Sequence, residues 1–386
     1  MINITDKKDC CSCSACKSIC PSKAIEMRAD ALGFLYPVVD KNKCTECGLC
    51  ERVCEFSPNY NKSENLDSPL AYALRHKDPE QIKTSRSGAA FIAFSDYILA
   101  QGGIVYGVGY DENFRAIHKR ATTKSERDEF KGSKYVQSDA NGCFTQIKQD
   151  LKDGKKVLFS GTPCQVAGLK SYIGKNLRPN LYLMDIICHG VPGPFVWRDF
   201  LAYNQQKYNK KITGVEFRDK QKHSWASHVE RLDFGDKHKF STIYRNLFYS
   251  HLTLAHACGV CHFANTTRPS DVTLGDYWGY ERTDPEFAKD NKGCSLIFCN
   301  TQKGEEWFSL IKDQVNFLPA KLENCLQTNL KRPSKINPQR EKFEKDYCAK
   351  GFKFVKNKYT KTSLKTKIKE FLPRPLVKFI IKILGR

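Results

Sequence analysis

No apolar run in this sequence approaches the roughly 20 residues that a membrane-spanning helix requires, so no such helix is expected. The opening MINITDKKDC lacks the apolar core of a secretory signal, and no signal peptide is expected. No nucleic-acid-binding motif accompanies the net charge of +21, so nucleic acid is not an expected partner. Acidic residues are scarce in one region. From Lys331 to Arg386 there are 18 Lys and Arg against 4 Asp and Glu, a net +14, whereas residues 1–60 balance at 8 and 8. The basicity therefore belongs mainly to a tail. Cysteine, by contrast, is plentiful, with 18 among 386 residues. A cytoplasmic, reducing compartment is expected, where thiols stay reduced and clustered cysteines point to metal or redox chemistry before disulfides. A hydrophobic content of 40% is enough for a real core. The length suits two or three domains of roughly 100–200 residues each.

Five cysteines crowd into CCSCSACKSICP, from Cys10 to Pro21. Read from Cys10, the spacing is Cys10-x2-Cys13-x2-Cys16-x3-Cys20-Pro21, the bacterial ferredoxin run for a [4Fe–4S] cluster. Read from Cys11 it fails, because Cys13 comes one residue early, so Cys11 is the spare. A second run follows at Cys44, Cys47, Cys50 and Cys54. In two-cluster ferredoxins the fourth cysteine of each run serves the other cluster. The expected sets are therefore Cys10, Cys13, Cys16 with Cys54, and Cys44, Cys47, Cys50 with Cys20. A pair of zinc sites is the competing reading, but zinc favours paired C-x2-C units across a longer spacer. Glu55 stands where the second run usually has proline, and its carboxylate would add negative charge beside a cluster. Between the runs, KAIEMRADALGFLYPVVD reads as a short helix, a turn and a strand.

Residues 58–70 are polar and turn-rich, a linker. Beyond them the pattern alternates. GAAFIAFSDYILAQ has helical periodicity, and GGIVYGVGY reads as a buried strand. KKVLFSGTPCQVAGLKSYI reads as strand, tight turn and helix. LYLMDIICHGVPGP reads as a strand ending in a loop. Such alternation predicts an α/β domain with a largely parallel sheet, whose ligands bind beyond the carboxyl ends of the strands. Cys164 and Cys188 sit at two such ends, with Pro163 suited to a first helical turn. Cys258-x2-Cys261 follows later. Three readings remain open from the residues: Cys164 as a catalytic nucleophile, Cys258 and Cys261 with His256 or His262 as a zinc site, or all four cysteines as a third [4Fe–4S] site.

GSKYVQS (132–138), LFSGTPCQVAGLK (158–170), DIICHGVP (185–192), FRDK (217–220) and RPSDVTLGDYWGY (268–280) together resemble the coenzyme F-420 hydrogenase/dehydrogenase beta-subunit family. The resemblance implies an FAD-binding α/β domain with its own [4Fe–4S] cluster on Cys164, Cys188, Cys258 and Cys261. It implies flavin contacts at Ser87, Gly88, Gly132, Ser133, Lys134, Tyr135, Thr273 and Gly275. Ala89 stands where relatives often carry a second glycine. Lys134 would balance phosphate charge or the reduced flavin. Some family members accompany genes for cell-surface polysaccharides, and nothing in the sequence identifies the deazaflavin as substrate.

The expected organisation is an α+β ferredoxin-like module at 1–57, the linker at 58–70, and a mixed-sheet α/β flavin domain at 71–330. A basic tail at 331–386 ends in an amphipathic helix, Leu376–Leu384, that fits an anionic membrane surface or a protein docking face. The expected function is an FAD-dependent iron–sulfur oxidoreductase that exchanges electrons with a ferredoxin or another oxidoreductase and with an organic substrate or deazaflavin. The alternatives are an electron-transfer subunit for a separate enzyme and a polysaccharide accessory protein with structural clusters. Cys143, Cys294, Cys299, Cys325 and Cys348 show no ligand spacing. His189 suits cluster tuning, proton transfer or structure. Arg218, Lys220, His223 and Trp225 read chiefly as solvated loop charge, with a substrate edge as the alternative.

Overall fold

The two cysteine runs flank a β-hairpin. Strand β1, Ile25–Ala29, pairs antiparallel with β2, Leu35–Val39, in the register Ile25 to Val39. The short helix expected here is absent. The Asp30 carboxylate accepts from the Leu32 and Phe34 amides, both at 3.0 Å, and Gly33 takes a φ of 91°. That turn chemistry closes a hairpin, and cross-strand pairing outweighs the helical tendency of AIEMRA. Short helices, Ala15–Ile19 and Leu49–Arg52, carry Cys16 and Cys50. The computed structural model describes residues 1–360, apart from 58, 59, 61–65, 67, 141, 221, 281–286, 288 and 289. Most of the linker and the amphipathic C-terminal helix expected at Leu376–Leu384 lie outside the described residues.

The large domain is built on strands β3 (Leu70–His76), β4 (Ile104–Tyr110), β5 (Ala116–Ala121), β6 (Val157–Gly161) and β7 (Leu181–Ile186). A small antiparallel sheet follows, of β8 (Gly214–Glu216), β9 (Glu230–Phe234) and β10 (Lys237–Ser241). The main sheet is completed by β11 (Val272–Asp276), β12 (Ser295–Cys299) and β13 (Val315–Ala320). Its order is β13-β3-β12-β11-β7-β6-β4-β5. Only β4 with β6, β6 with β7, and β7 with β11 pair in parallel. The other neighbours are antiparallel, so the sheet is mixed rather than largely parallel.

Period-two alternation sends each central strand's side chains to two cores. Val157, Phe159, Leu181 and Leu183 face one core with Phe144, Val166 and Leu169. Leu158 and Met184 face the other with Phe94 and Trp307. The helices Cys143–Lys152 and Pro163–Tyr172 cover the first face, while Ala90–Ala100 and Gln302–Ser309 cover the second.

The cysteine-rich module docks on the first face. Ala15 and Val53 join that core. A Cβ added at Gly168, within the helix Pro163–Tyr172, would lie 2.8 Å from the Cys13 sulfur. On its other flank the hairpin turn is held by Phe195 N–H donating to Leu32 O at 3.0 Å. Glycine at 168 therefore brings the first cysteine run against the helix that starts at Cys164.

Candidate metal centres

The first run and Cys54 converge. The sulfurs of Cys10, Cys13, Cys16 and Cys54 are electrostatic neighbours, and burial with these neighbours pushes Cys10 up to about 12 and Cys54 up to about 11. The Ser12 amide donates to Cys10 Sγ at 3.4 Å. The second group lines a cavity of about 340 Å³, measured to its open mouth, that includes Cys20, Cys44, Cys47 and Cys50. Amides of Ile2 and Ala24 donate to Cys50 Sγ and Cys20 Sγ, both at 3.3 Å. Cys47 is exposed. Each group thus offers four thiols with backbone donors aimed at sulfur, a donor set that suits an iron–sulfur cubane.

A third set lies where the sheet places it. Thr162 ends the turn after β6, and the helix Pro163–Tyr172 begins with proline in its first turn, so Cys164 stands at a helix N-terminus. The Thr162 hydroxyl lies 3.2 Å from Cys164 Sγ. Cys188 follows β7. Cys258 and Cys261 belong to the 3-10 turn His256–Val260 and its C-cap. All four line one cavity that opens to solvent. Amides of Gly190 and Val191 donate to Cys188 Sγ at 3.3 Å and to Cys258 Sγ at 3.4 Å. Burial pushes Cys188 up to about 12 and Cys261 up to about 11, whereas hydrogen bonding from Cys11 holds Cys164 down to about 7. A bound metal would deprotonate all of them. Of the two histidines weighed for zinc, His262 lines the cavity and His256 does not.

A buried ion pair gathers this set. Arg268, 1% exposed, donates to Asp185 Oδ1 at 3.0 Å, to Ile186 O at 2.8 Å and to Phe263 O. It ties the segment just after Cys261 to the strand end just before Cys188. Removing one member of such a pair leaves a buried charge uncompensated.

Three residues of the cysteine-rich module, Cys11, Glu55 and Phe56, also line the cavity of this third set. The side-chain ligand atoms of Cys11 and Glu55 and the Cys164 sulfur lie within 4.8 Å of one another. Glu55 is 6% exposed, and burial pushes its carboxyl well above the usual range, which favours the protonated form. Phe56 packs on His262 with ring centroids 4.7 Å apart. His189 lines the same cavity and hydrogen-bonds His251 at 2.7 Å, with burial pushing it down to about 4. The other cysteines stay apart: Cys143, Cys294, Cys299 and Cys325 are buried, and Cys348 is exposed.

The residues expected at a flavin fall outside these two cavities. Gly88 packs so tightly that a Cβ there would stand 2.0 Å from Leu74 O. Thr273 accepts from Asn300 Nδ2 at 2.9 Å in a buried polar network. A Cβ at Gly275 would lie 2.5 Å from Ile187. Lys134 donates to Glu129 O at 3.0 Å and Lys131 O at 2.9 Å, and burial pushes it down to about 7. Gly132 adopts a φ of 76° with open space at its Cβ position, and Ser133 is half-buried. Ala89 has a φ of 64°, the left-handed region that glycine enters freely.

Arg218 draws several of these segments together. It is 6% exposed and donates to Asp276 Oδ2 at 2.6 Å, beside Gly275, and to the Tyr135 hydroxyl at 3.2 Å. Its carbonyl accepts from Arg86, next to Ser87, at 2.8 Å. Lys220 donates to Ser85 O at 3.0 Å and Ser87 O at 3.4 Å, and Trp225 is 2% exposed. The solvated-loop expectation for Arg218, Lys220 and Trp225 is thus corrected: they form a buried network, because paired carboxylates and carbonyls satisfy the charges. Arg86, which motif reading missed, keeps Nε and Nη2 buried without a hydrogen-bond partner.

Among the described residues no helix is long and apolar enough to cross a membrane. No curated protein matches the chain. Among solved structures, a chain from the F420-reducing [NiFe] hydrogenase complex of Methanosarcina barkeri, in a xenon-derivatization study, is similar. It shares 15% identity and covers 78% of this chain and 92% of its own, with a TM-score of 0.46. Residues 9–57 match the family model of the 4Fe-4S dicluster domain, and residues 154–323 match that of the C terminus of the coenzyme F420 hydrogenase/dehydrogenase beta subunit. The two matched regions stand in the order expected, so the chain carries an N-terminal region similar to a 4Fe-4S dicluster domain, followed by a larger region similar to the C terminus of the coenzyme F420 hydrogenase/dehydrogenase beta subunit.

Proposed function

We propose that this protein is an iron–sulfur flavoprotein oxidoreductase. Its dicluster domain would hold two [4Fe–4S] clusters, a third would sit on Cys164, Cys188, Cys258 and Cys261, and FAD would bind beside Arg218. Cubane clusters supply one-electron steps, and a flavin couples two of them to a two-electron organic substrate. The observation that carries this reading is the third cavity, where four thiols share one wall with the dicluster domain.

The chain's own residues give the sites an order. Exposed Cys47 puts the Cys20, Cys44, Cys47 and Cys50 group near solvent, where a ferredoxin or another oxidoreductase can approach. Cys13 packs against Gly168, so the Cys10, Cys13, Cys16 and Cys54 group stands between that entry and the third cavity. Arg86, Arg218 and Lys220 concentrate positive charge next to Ser87, Tyr135 and Gly275. The two unpartnered nitrogens of Arg86 suit an anionic diphosphate, which supports a flavin there. An organic substrate or a deazaflavin would be the two-electron partner. The link to surface polysaccharide synthesis rests on the family resemblance alone.

The matched family is one of beta subunits, which favours a second reading: an electron-transfer subunit that serves a separate oxidoreductase. Flavin analysis separates the two. Anaerobically purified protein should release FAD on denaturation, close to one per chain, and Arg86→Met should weaken its retention. Protein replete in iron but free of FAD after reconstitution would refute the flavoenzyme and leave the electron-transfer subunit.

A further inference from the structure

Cys11 and Glu55 have no place in the ferredoxin spacing, yet each directly follows a residue of the first group, Cys10 and Cys54. Their side chains are buried, at 9% and 6% exposure, and both line the third cavity. With them the cavity offers five thiols and one carboxylate, where a cubane needs four ligands. The surplus is concentrated at one point. The Cys11 sulfur, a Glu55 carboxylate oxygen and the Cys164 sulfur all lie within 4.8 Å of one another, and no other three His, Cys, Asp or Glu side chains among the described residues come this close. Two ligands of one tetrahedral ion stand roughly 3.5–4 Å apart at bond lengths of about 2.0–2.3 Å. Ligands of different irons in a cubane point to different corners and stand farther apart. The three donors therefore converge on one corner. Glu55 Oε2 is buried without a hydrogen-bond partner, a desolvated acceptor that a metal bond would satisfy.

We propose that Cys11, Glu55 and Cys164 form an exchangeable corner of the third cluster, where the Cys11 thiolate or the Glu55 carboxylate can replace Cys164 on the iron. This rests on the three-cluster reading above. In the exchange the bond from iron to Cys164 Sγ breaks as a bond to Cys11 Sγ or a Glu55 oxygen forms. The incoming group gives up its proton to the Cys164 thiolate, so neither the net charge nor the electron count changes. The consequence is a shorter link between two centres. With Cys164 as ligand, the third cluster is held by the large domain alone. With Cys11 or Glu55, its iron stands one peptide unit from a ligand of the first cluster, Cys10 or Cys54. Cys188, Cys258 and Cys261 belong to no such trio among the described residues and anchor the cluster throughout.

The test counts iron and acid-labile sulfide in the full chain, purified anaerobically, and records electron paramagnetic resonance after reduction with dithionite. Cys164→Ala should keep about twelve irons with an altered signal from the third cluster, whereas Cys188→Ala should lose about four. Cys11→Ala combined with Glu55→Gln should keep about twelve, because Cys164 still holds the corner and Gln137 binds the Cys11 carbonyl rather than its thiol. Adding both changes to Cys164→Ala should bring the count down to about eight. Loss of about four irons from Cys164→Ala alone would overturn the proposal. So would equal retention in Cys164→Ala and Cys188→Ala, a triple variant that matches Cys164→Ala in iron and signal, or iron loss from the protein carrying only Cys11→Ala and Glu55→Gln. Wild-type protein with about eight irons would instead overturn the three-cluster reading, so the two failures are distinguishable.

Discussion

Replacing Gly168 by alanine tests the contact on which the order of the sites depends. The residue lies inside the helix Pro163–Tyr172. On an exposed helix the change would stabilise by about 1 kcal/mol, because glycine loses more backbone freedom on folding. Here the new Cβ would stand 2.8 Å from Cys13 Sγ, 3.1 Å from Cys13 Cβ and 3.3 Å from Ala15 Cβ. Reaching ordinary contact at roughly 3.5–4.0 Å requires about 1 Å of separation. Cys13 cannot swing aside without leaving Cys10, Cys16 and Cys54, so the loop or the helix must move. Overpacking of this kind costs roughly 1–3 kcal/mol. The steric cost therefore outweighs propensity, and Gly168→Ala should be destabilised by about 0–2 kcal/mol net. The assay pairs the thermal midpoint with iron retention on anaerobic dilution. Iron should be lost faster from the variant than from wild type. Stabilisation by about 1 kcal/mol with wild-type iron retention would refute the contact between the dicluster domain and this helix.

Other perturbations probe separate parts of the account. Ala89→Gly should stabilise by up to about 1 kcal/mol, since alanine at positive φ costs roughly 1–2 kcal/mol and glycine returns part of that in backbone entropy; a lower thermal midpoint would contradict the left-handed conformation. Arg268→Met should destabilise by about 3–5 kcal/mol, because Asp185 is left buried and unpaired, and should release about four irons as the Cys258–Cys261 segment detaches. Iron analysis beside denaturant unfolding checks both. His118, stacked on Phe159 with centroids 4.9 Å apart, is pushed down to about 4 by burial. Below its unfolded value near 6.5 the unfolded chain binds a proton that the folded chain does not. Stability should therefore fall as pH drops from about 6.5 to about 4, by up to roughly 3 kcal/mol from this group, and His118→Gln should remove that part of the slope.

The cysteine spacing made the dicluster domain legible, because three thiols on one tight loop and a fourth from the other run are a local constraint. The strands VLFSG and LYLMDII and the helix after Pro163 were legible for the same reason: burial on both faces or a capped first turn writes itself into short windows. The hairpin Ile25–Val39 was not, because AIEMRA has helical propensity and only pairing with LYPVV decides it. The antiparallel half of the main sheet was hidden too, since β3, β12 and β13 come from distant parts of the chain and nothing local sets their direction. At the sites, the convergence of Cys164, Cys188, Cys258 and Cys261 depends on Arg268 meeting Asp185 across 83 residues. Cys11 looked spare because spacing describes ligands within one loop and says nothing about a neighbour on another domain. Arg218 looked solvated because its partners, Tyr135 and Asp276, are remote in sequence.

The most direct test of the central claim is a count of iron, acid-labile sulfide and zinc per chain in anaerobically purified protein. Three cubane sites predict about twelve irons and about twelve sulfides, with zinc absent. About eight of each, with one zinc per chain, would contradict the third cluster and assign Cys164, Cys188, Cys258 and Cys261 to a different metal.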